Sequence, residues 1–244
     1  MKISTVGVSD IGRLRQQNQD YVFTSEVPIG PLPNLFIVAD GMGGHKAGEY
    51  ASKCAVETIV GEVNLSRGHM PKDILEKAIS QANRRVRQKA SSDDNFHGMG
   101  TTVVAATFDG DKLTVANVGD SRLYLLGSDG IRQVTTDHSL VEEMIRIGGL
   151  DRAKARTHPD KNIITRAIGV VDVVDADFYI LEDLKPGDQI VMCSDGLSNM
   201  VEDESIQAIA RGGGSLKDRA KALIAAANEK GGRDNITVII GEFE

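Results

Sequence analysis

Short apolar runs broken by turn-forming residues dominate the first and middle parts of the chain, and helix-period stripes fall between and after them. Residues 3–8, 21–26 and 35–40 read as strands. The last two are joined through Pro28, Gly30, Pro31 and Pro33, which suits a hairpin. The period then changes. From about 45 to 60, Ala47, Ala51, Cys54 and Thr58 recur on one face, and their small size permits close packing on a sheet. From 72 to 90, Ile74, Ala78, Ala82 and Val86 form a second stripe, with Arg84, Arg85 and Arg87 outside it. Strands return at 101–108, 113–118 and 122–126, with turns at Asp109-Gly110 and Asp129-Gly130. Two more follow at 176–181 and 189–193, then two helices flanking Gly212-Gly213-Gly214, and a last strand at 236–242.

Hairpins and paired helices in this order predict an α+β fold of antiparallel sheets covered by helices, not a doubly wound parallel sheet. The 244 residues fit one domain, and 41% hydrophobic content is enough for a substantial core. The stretch 139–172 is too polar for core and reads as a mobile flap. It carries Arg146, Arg152, Lys154, Arg156, Lys161 and Arg166, which would dock and steer acidic, anionic partner surfaces, and Gly148-Gly149 offers a hinge. A net charge of −7 lacks the basic stripe of a nucleic-acid binder. No apolar run approaches a membrane span and no signal peptide is apparent, so the cytosol is the expected location. Cys54 and Cys193 read as buried small hydrophobes.

The chemistry sits in aspartates at strand ends. Asp40, Asp120 and Asp195 follow apolar strands, while Asp20 and Asp234 precede them. In an antiparallel pair the start of one strand lies beside the end of its neighbour, so Asp20 meets Asp40. Asp195 meets Asp234 if the last strand pairs with 189–193. Carboxylates gathered at one rim repel one another unless a cation neutralises them, and an all-oxygen set selects Mg²⁺ or Mn²⁺. Gly41 lets the backbone turn sharply and bring its carbonyl to an ion. The five histidines show no zinc spacing and read mostly as surface residues. His45, in the Asp-Gly loop, is placed either to protonate a leaving oxygen or merely to cap the loop. Arg15, a short step from Asp20, suits bidentate capture of phosphate.

Eight motifs in order then form one pattern. They are Gly12-Arg13-Leu14-Arg15-Gln16-Gln17-Asn18-Gln19-Asp20, Asp40 to His45, Met99-Gly100-Thr101-Thr102 and Val118-Gly119-Asp120-Ser121-Arg122, followed by Thr136-Asp137-His138-Ser139, Thr165-Arg166-Ala167-Ile168-Gly169, Cys193-Ser194-Asp195-Gly196-Leu197 and Gly232-Arg233-Asp234-Asn235. Over nearly the whole length this resembles the metal-dependent protein phosphatases of the type 2C (PPM) family, in particular their compact bacterial stand-alone members. The resemblance implies a sandwich of two antiparallel sheets flanked by helices, and a monomer acting on phosphoserine and phosphothreonine of other proteins. It implies a binuclear Mn²⁺/Mg²⁺ centre bridged by Asp40, with the Gly41 carbonyl, Asp20, Asp195 and Asp234 completing the set. Asp120 with Asp195 would hold a weaker third ion, and Arg15 would take the phosphate. A metal-bridging hydroxide would attack phosphorus in line, without a covalent intermediate. Gln19 stands where many relatives carry Glu, and His45 sits later in its loop than the histidine of animal relatives. Two rivals remain: a catalytically silent module on the same fold, which would need eroded metal aspartates, and a phosphohydrolase of small metabolites, which would need a closed pocket.

Overall fold

The computed structural model of the chain describes every residue except His45 and Asp111. Along the chain run β1 (Ile3–Asp10), β2 (Asp20–Ser25), β3 (Leu35–Met42), α1 (Ala47–Leu65) and α2 (Pro71–Ser92). They are followed by β4 (Gly100–Thr101), β5 (Val103–Phe108), β6 (Leu113–Val118), β7 (Arg122–Gly127) and β8 (Gly130–Gln133). Next come α3 (Leu140–Arg146), α4 (Arg152–Ala155), β9 (Asp177–Leu181) and β10 (Gln189–Cys193). The chain ends with α5 (Asp195–Ser198), α6 (Asp203–Ala210), α7 (Leu216–Glu229) and β11 (Ile236–Phe243). None of the described helices is long and apolar enough to cross a membrane.

Two antiparallel sheets face each other. One has the order β1-β11-β10-β7-β8, the other β2-β3-β5-β6-β9, with β4 paired to β3. Alternation along the central strands explains why both sheets are covered twice. In β3, Phe36 and Val38 turn inward, where they join Val104, Ile190, Met192 and Ile239 between the sheets. Leu35, Ile37 and Ala39 turn outward onto α1 and α2, against Ala51, Ala55, Ile79 and Ala82. On the opposite face Tyr124, Val191 and Val238 meet Leu197, Leu223 and Ala227 of α5 and α7. The result is the α-β-β-α layering, and it accounts for the uninterrupted apolar runs that a strand with one wet face would lack. Both expected helix stripes are buried, and both cysteines are free and buried.

The flap region departs from a plain polar loop. It contains α3, capped by the Ser139 hydroxyl, and α4, capped by Asp151. Val141, Ala167 and Ile168 are buried. Gly148 has φ 76° and its N–H donates to the Ile145 carbonyl, so it terminates α3 as a left-handed cap. Three of the expected docking cations are engaged instead in ion pairs, Arg152 with Glu142, Arg156 with Glu202 and Arg166 with Asp177.

The far end of the flap is fastened to α2 by Asn83, itself buried. Its amide donates to the carbonyls of Val171 and Asp172 at 2.9 and 3.1 Å and accepts from Gly169 N–H at 2.7 Å. Removing it strands the buried Gly169 donor, and an unmet buried polar group costs about 1–3 kcal/mol beyond the lost bonds. Asn83→Ala is therefore expected to lower the unfolding free energy by about 2–4 kcal/mol, read from urea denaturation at unchanged slope. A loss below about 0.5 kcal/mol, the range of neutral surface changes, would show that the flap is fastened elsewhere.

Candidate active site

The two sheets bring their acidic ends together. In the β2–β3 ladder Asp20 and Asp40 are direct partners across the strands. β10 pairs with β11 up to Cys193↔Val238, so Asp195 and Asp234 lie just beyond the same end of the other sheet. Asp195 opens α5, one step past its strand. A hydrogen bond ties the sheets across this junction: Ser194 Oγ donates to Asp20 Oδ2 at 2.7 Å and itself accepts from Thr237 N–H at 3.0 Å. Asp120 lies beyond the end of β6, buried, and reaches the same space beside Asp195.

Local sequence explains how the carboxylates are held. The Asp40 N–H donates to Thr102 Oγ1 and its carbonyl accepts from Thr101 Oγ1 and Thr102 N–H, all at 2.9 Å. Thr102 Oγ1 also shares a hydrogen bond with Ser121 Oγ, next to Asp120, at 2.7 Å. At Gly41 a Cβ would overlap the Gly48 carbonyl, so only glycine lets β3 run this close to the start of α1. At Gly196 a Cβ would overlap the Asn235 carbonyl, which sets α5 against β11. Asn235 accepts from Gln19 N–H and donates to the carbonyls of Ile11 and Gln17, fixing the Arg15 loop to the Asp234 loop. Asn199 donates to Asp195 Oδ2 at 2.9 Å. Thr102, Ser194 and Asn235 stood inside the sequence motifs with no role assigned to them, and Asn199, four residues past Asp195, lay outside those motifs.

Burial and mutual repulsion dominate the electrostatics. Desolvation pushes the Asp20 carboxyl up to about 7, with Asp195 and Asp234 adding to the rise. Asp195 is pushed up to about 6, again by burial first and Asp234 next, although Arg122 and Arg15 counteract it. Asp40 and Asp120 are held well above the usual carboxylate range by burial and by neighbouring aspartates. Asp40 stands within hydrogen-bonding reach of Asp195, a closeness that two bare carboxylates do not tolerate without a shared proton or cation. Asp20 Oδ1 and Asp195 Oδ1 are buried with no hydrogen-bond partner. Orphaned carboxylate oxygens in an all-oxygen donor set fit a hard divalent cation. Among the described residues no three His, Cys, Asp or Glu side chains meet on a single ion-sized point, so an ion here would also need backbone or water ligands. Gly41 lines the same cavity as Asp40, Asp120, Asp195 and Asp234.

Arg15 reaches this cluster from its loop, donating from Nη2 to Asp234 Oδ2 at 2.7 Å. Its side chain remains 50% exposed and that of Asp234 33%, so the centre opens to solvent. The flap contributes Asn162 and Ile164 to the cavity wall. Gln19 donates from its side chain to the Gly43 carbonyl, while its own carbonyl accepts from Ser52 Oγ and Gly41 N–H. His138 corrects the expectation of surface histidines: it is buried, accepts from Gly119 N–H at Nδ1, and faces Asp177 and Arg166. Cys193 is buried and its thiol is pushed up to about 12, chiefly by desolvation, which removes it as a nucleophile. The general-acid reading of His45 lies outside the described residues.

A four-layer sandwich with a carboxylate-only centre and an arginine at its mouth defines a metal-dependent phosphoesterase. Comparison with known proteins agrees. Residues 6–236 match the family Protein phosphatase 2C. The serine/threonine phosphatase stp of Listeria innocua is 39% identical over 240 residues, covering 96% of this chain and 93% of that protein. The solved serine/threonine phosphatase of S. agalactiae superposes with a TM-score of 0.92 at 36% identity, over 99% of this chain and all of that one. The catalytic domain of serine/threonine protein phosphatase PstP, solved in complex with two manganese ions, superposes with a TM-score of 0.86 at 30% identity, over 98% of this chain and 97% of that one. The chain belongs to the protein phosphatase 2C family.

The raised carboxyl values make a testable link to stability. Between the ordinary value of 3.8 and about 6–7, the folded chain holds protons on Asp20 and Asp195 that the unfolded chain has released. Stability must then fall as pH rises through that window. Thermal unfolding of metal-free protein is expected to show a lower Tm at pH 8 than at pH 5, and saturating Mn²⁺ should remove most of the difference. A metal-free Tm that is flat or rises over this range would contradict the placement of the carboxylates.

Proposed function

We propose that the Asp20–Asp40–Asp195–Asp234 centre is where this chain, a metal-dependent serine/threonine protein phosphatase, hydrolyses phosphoserine and phosphothreonine esters of other proteins. The observation that carries the reading is the convergence of both sheet ends on partnerless buried carboxylate oxygens, with Arg15 at the open side. Residues 1–244 act on this reading as one catalytic domain, working as a cytosolic monomer on phosphoproteins rather than on nucleic acid.

Asp20, Asp40, Asp195 and Asp234, with the Gly41 carbonyl, would hold two Mn²⁺ or Mg²⁺ ions, and Asp120 beside Asp195 a weaker third. Such ions supply charge neutralisation, Lewis acidity towards phosphoryl oxygens and acidification of water. The chain's own part is positioning. Arg15 presents a planar donor fork to the phosphate, exchanging its partner on Asp234 for phosphoryl oxygens. Ser194 and Asn199 keep one oxygen each of Asp20 and Asp195 occupied, which leaves the other oxygen of each aimed into the centre. Thr101 and Thr102 fix the backbone from which Asp40 projects. The open rim suits a residue on a protein surface better than a small metabolite, which a closed pocket would hold.

Two substitutions test this reading. Asp40→Asn removes the central charge, so turnover of a phosphopeptide is expected to fall about 10²-fold or more. The metal-free variant should unfold at or above the wild-type temperature, because one repelling charge is gone. Near-normal turnover would place the centre elsewhere. Arg15→Ala should raise KM and lower kcat/KM by about tenfold to a hundredfold, matching the ~1.5–3 kcal/mol of hydrogen bonds to a charged group, while kcat moves little. Unchanged kcat/KM would remove the phosphate-binding role.

A further inference from the structure

The loops that carry Arg15 and Asp234 also carry cations that form no ion pair among the described residues. Arg15 is paired with Asp234, and the flap cations Arg152, Arg156 and Arg166 each have a carboxylate partner. Arg13 and Arg233 are exposed, Lys161 is half-buried, and among the described residues none of the three forms an ion pair. In a chain of net charge −7 this is a local reversal of sign.

Backbone contacts make these residues part of one rigid shelf. Arg13 N–H and Leu14 N–H both donate to the Gly232 carbonyl, at 2.7 and 3.3 Å. Gly232, with φ 49°, lies under the Arg13 side chain, since a Cβ there would stand 2.7 Å from Arg13 Cγ. Gly12 fits only as glycine against the Asp234 carbonyl. The Arg13–Arg15 loop and the Gly231–Asp234 loop are therefore locked together and run directly into the site. On the flap side, Lys161 lines a cavity together with Asp120, Asp195 and Asn199. Between the two arginines of the loop, Leu14 is 69% exposed.

We propose that this shelf docks acidic phosphopeptide segments: Arg13 and Arg233 receive Asp or Glu side chains within about two positions of the phosphorylated residue, while Leu14 packs against the aliphatic part of the segment. The proposal rests on the reading of the Asp40 centre as the phosphatase site. Unpaired arginines beside an exposed apolar side chain match the make-up of recognition surfaces, where an aromatic or aliphatic anchor is bordered by charge. Opposite charge at the mouth also raises the rate of encounter, in a salt-dependent way.

The test uses two phosphothreonine peptides that differ only in their flanking residues, Glu in one and Gln in the other. The kcat/KM ratio is measured with Mn²⁺ for wild type, R13Q/R233Q and R13K/R233K, with Mn²⁺ affinity titrated alongside. Each exposed charge pair contributes a factor of about two to five, so wild type should favour the Glu peptide by about fivefold to twentyfold at low salt. The preference should collapse towards one in R13Q/R233Q, persist in R13K/R233K, and weaken at about 0.5 M salt. Equal rates on the two peptides by wild type would overturn the proposal, as would a preference that survives in R13Q/R233Q. Weakened Mn²⁺ binding in R13Q/R233Q with the preference intact would assign these arginines to the metal site instead. Failure of wild type to hydrolyse either peptide with Mn²⁺ would be a different result, removing the phosphatase reading of the centre and the docking shelf with it.

Discussion

Four aspartates repel one another across the junction of two sheets, and the rest of the molecule is arranged around that repulsion. Asp20 and Asp40 face each other in one ladder, Asp195 and Asp234 stand at the end of the other, and Asp120 closes the side. Burial raises the cost of every charge in the group. Such a cluster persists only where apolar packing on all sides holds the sheet ends in place. Here that packing has three parts: the core between the sheets, and the two helix layers outside them. A divalent cation held here would relieve the repulsion and, on the proposed reading, would also supply the Lewis acidity used on a phosphoryl group.

The motif residues other than aspartate acquire physical reasons in this frame. Gly41 and Gly196 are places where backbone meets backbone too closely for a side chain. Thr101, Thr102 and Ser121 link the Asp40 strand to the Asp120 turn through short hydroxyl bonds. Arg122 forms a half-buried bidentate pair with Asp137, supported by Gln133 and Tyr124, at the base of the Asp120 turn. Burial works against its charged form, but Asp137 and Tyr124 outweigh burial and hold the guanidinium pKa well above the ordinary arginine value. His138 and Arg166 join the start and end of the flap to Asp177 at the base of β9. The flap is thus anchored by polar contacts at its base and by Asn83 at its far end.

Legibility in the sequence followed the range of the interactions. The β2–β3 hairpin and the stripes of α1 and α2 were readable, because period and turn chemistry are local; the pairing of the last strand with β10 stayed a condition, because it joins segments distant in sequence. The facing of Asp20 and Asp40 followed from antiparallel geometry alone. β8 was missed, since its four residues include a single apolar one. The break at Thr102 was missed for another reason: it is made by contacts to Asp40 and Ser121, distant in sequence. The burial of His138 and the pairing of Arg152 and Arg156 depend on partners from other elements, and no periodicity announces those. The six flap cations therefore looked available from the sequence; three of them are paired, and the loops beside Arg15 add Arg13 and Arg233, which form no ion pair among the described residues.

The central claim is that both sheet ends deliver their carboxylates to one binuclear site. Anomalous diffraction from crystals equilibrated with Mn²⁺ tests it most directly. Two peaks are expected within coordination distance of Asp40, one shared with Asp20 and the other with Asp195 and Asp234. A strong peak elsewhere, with none at Asp40, would contradict the account.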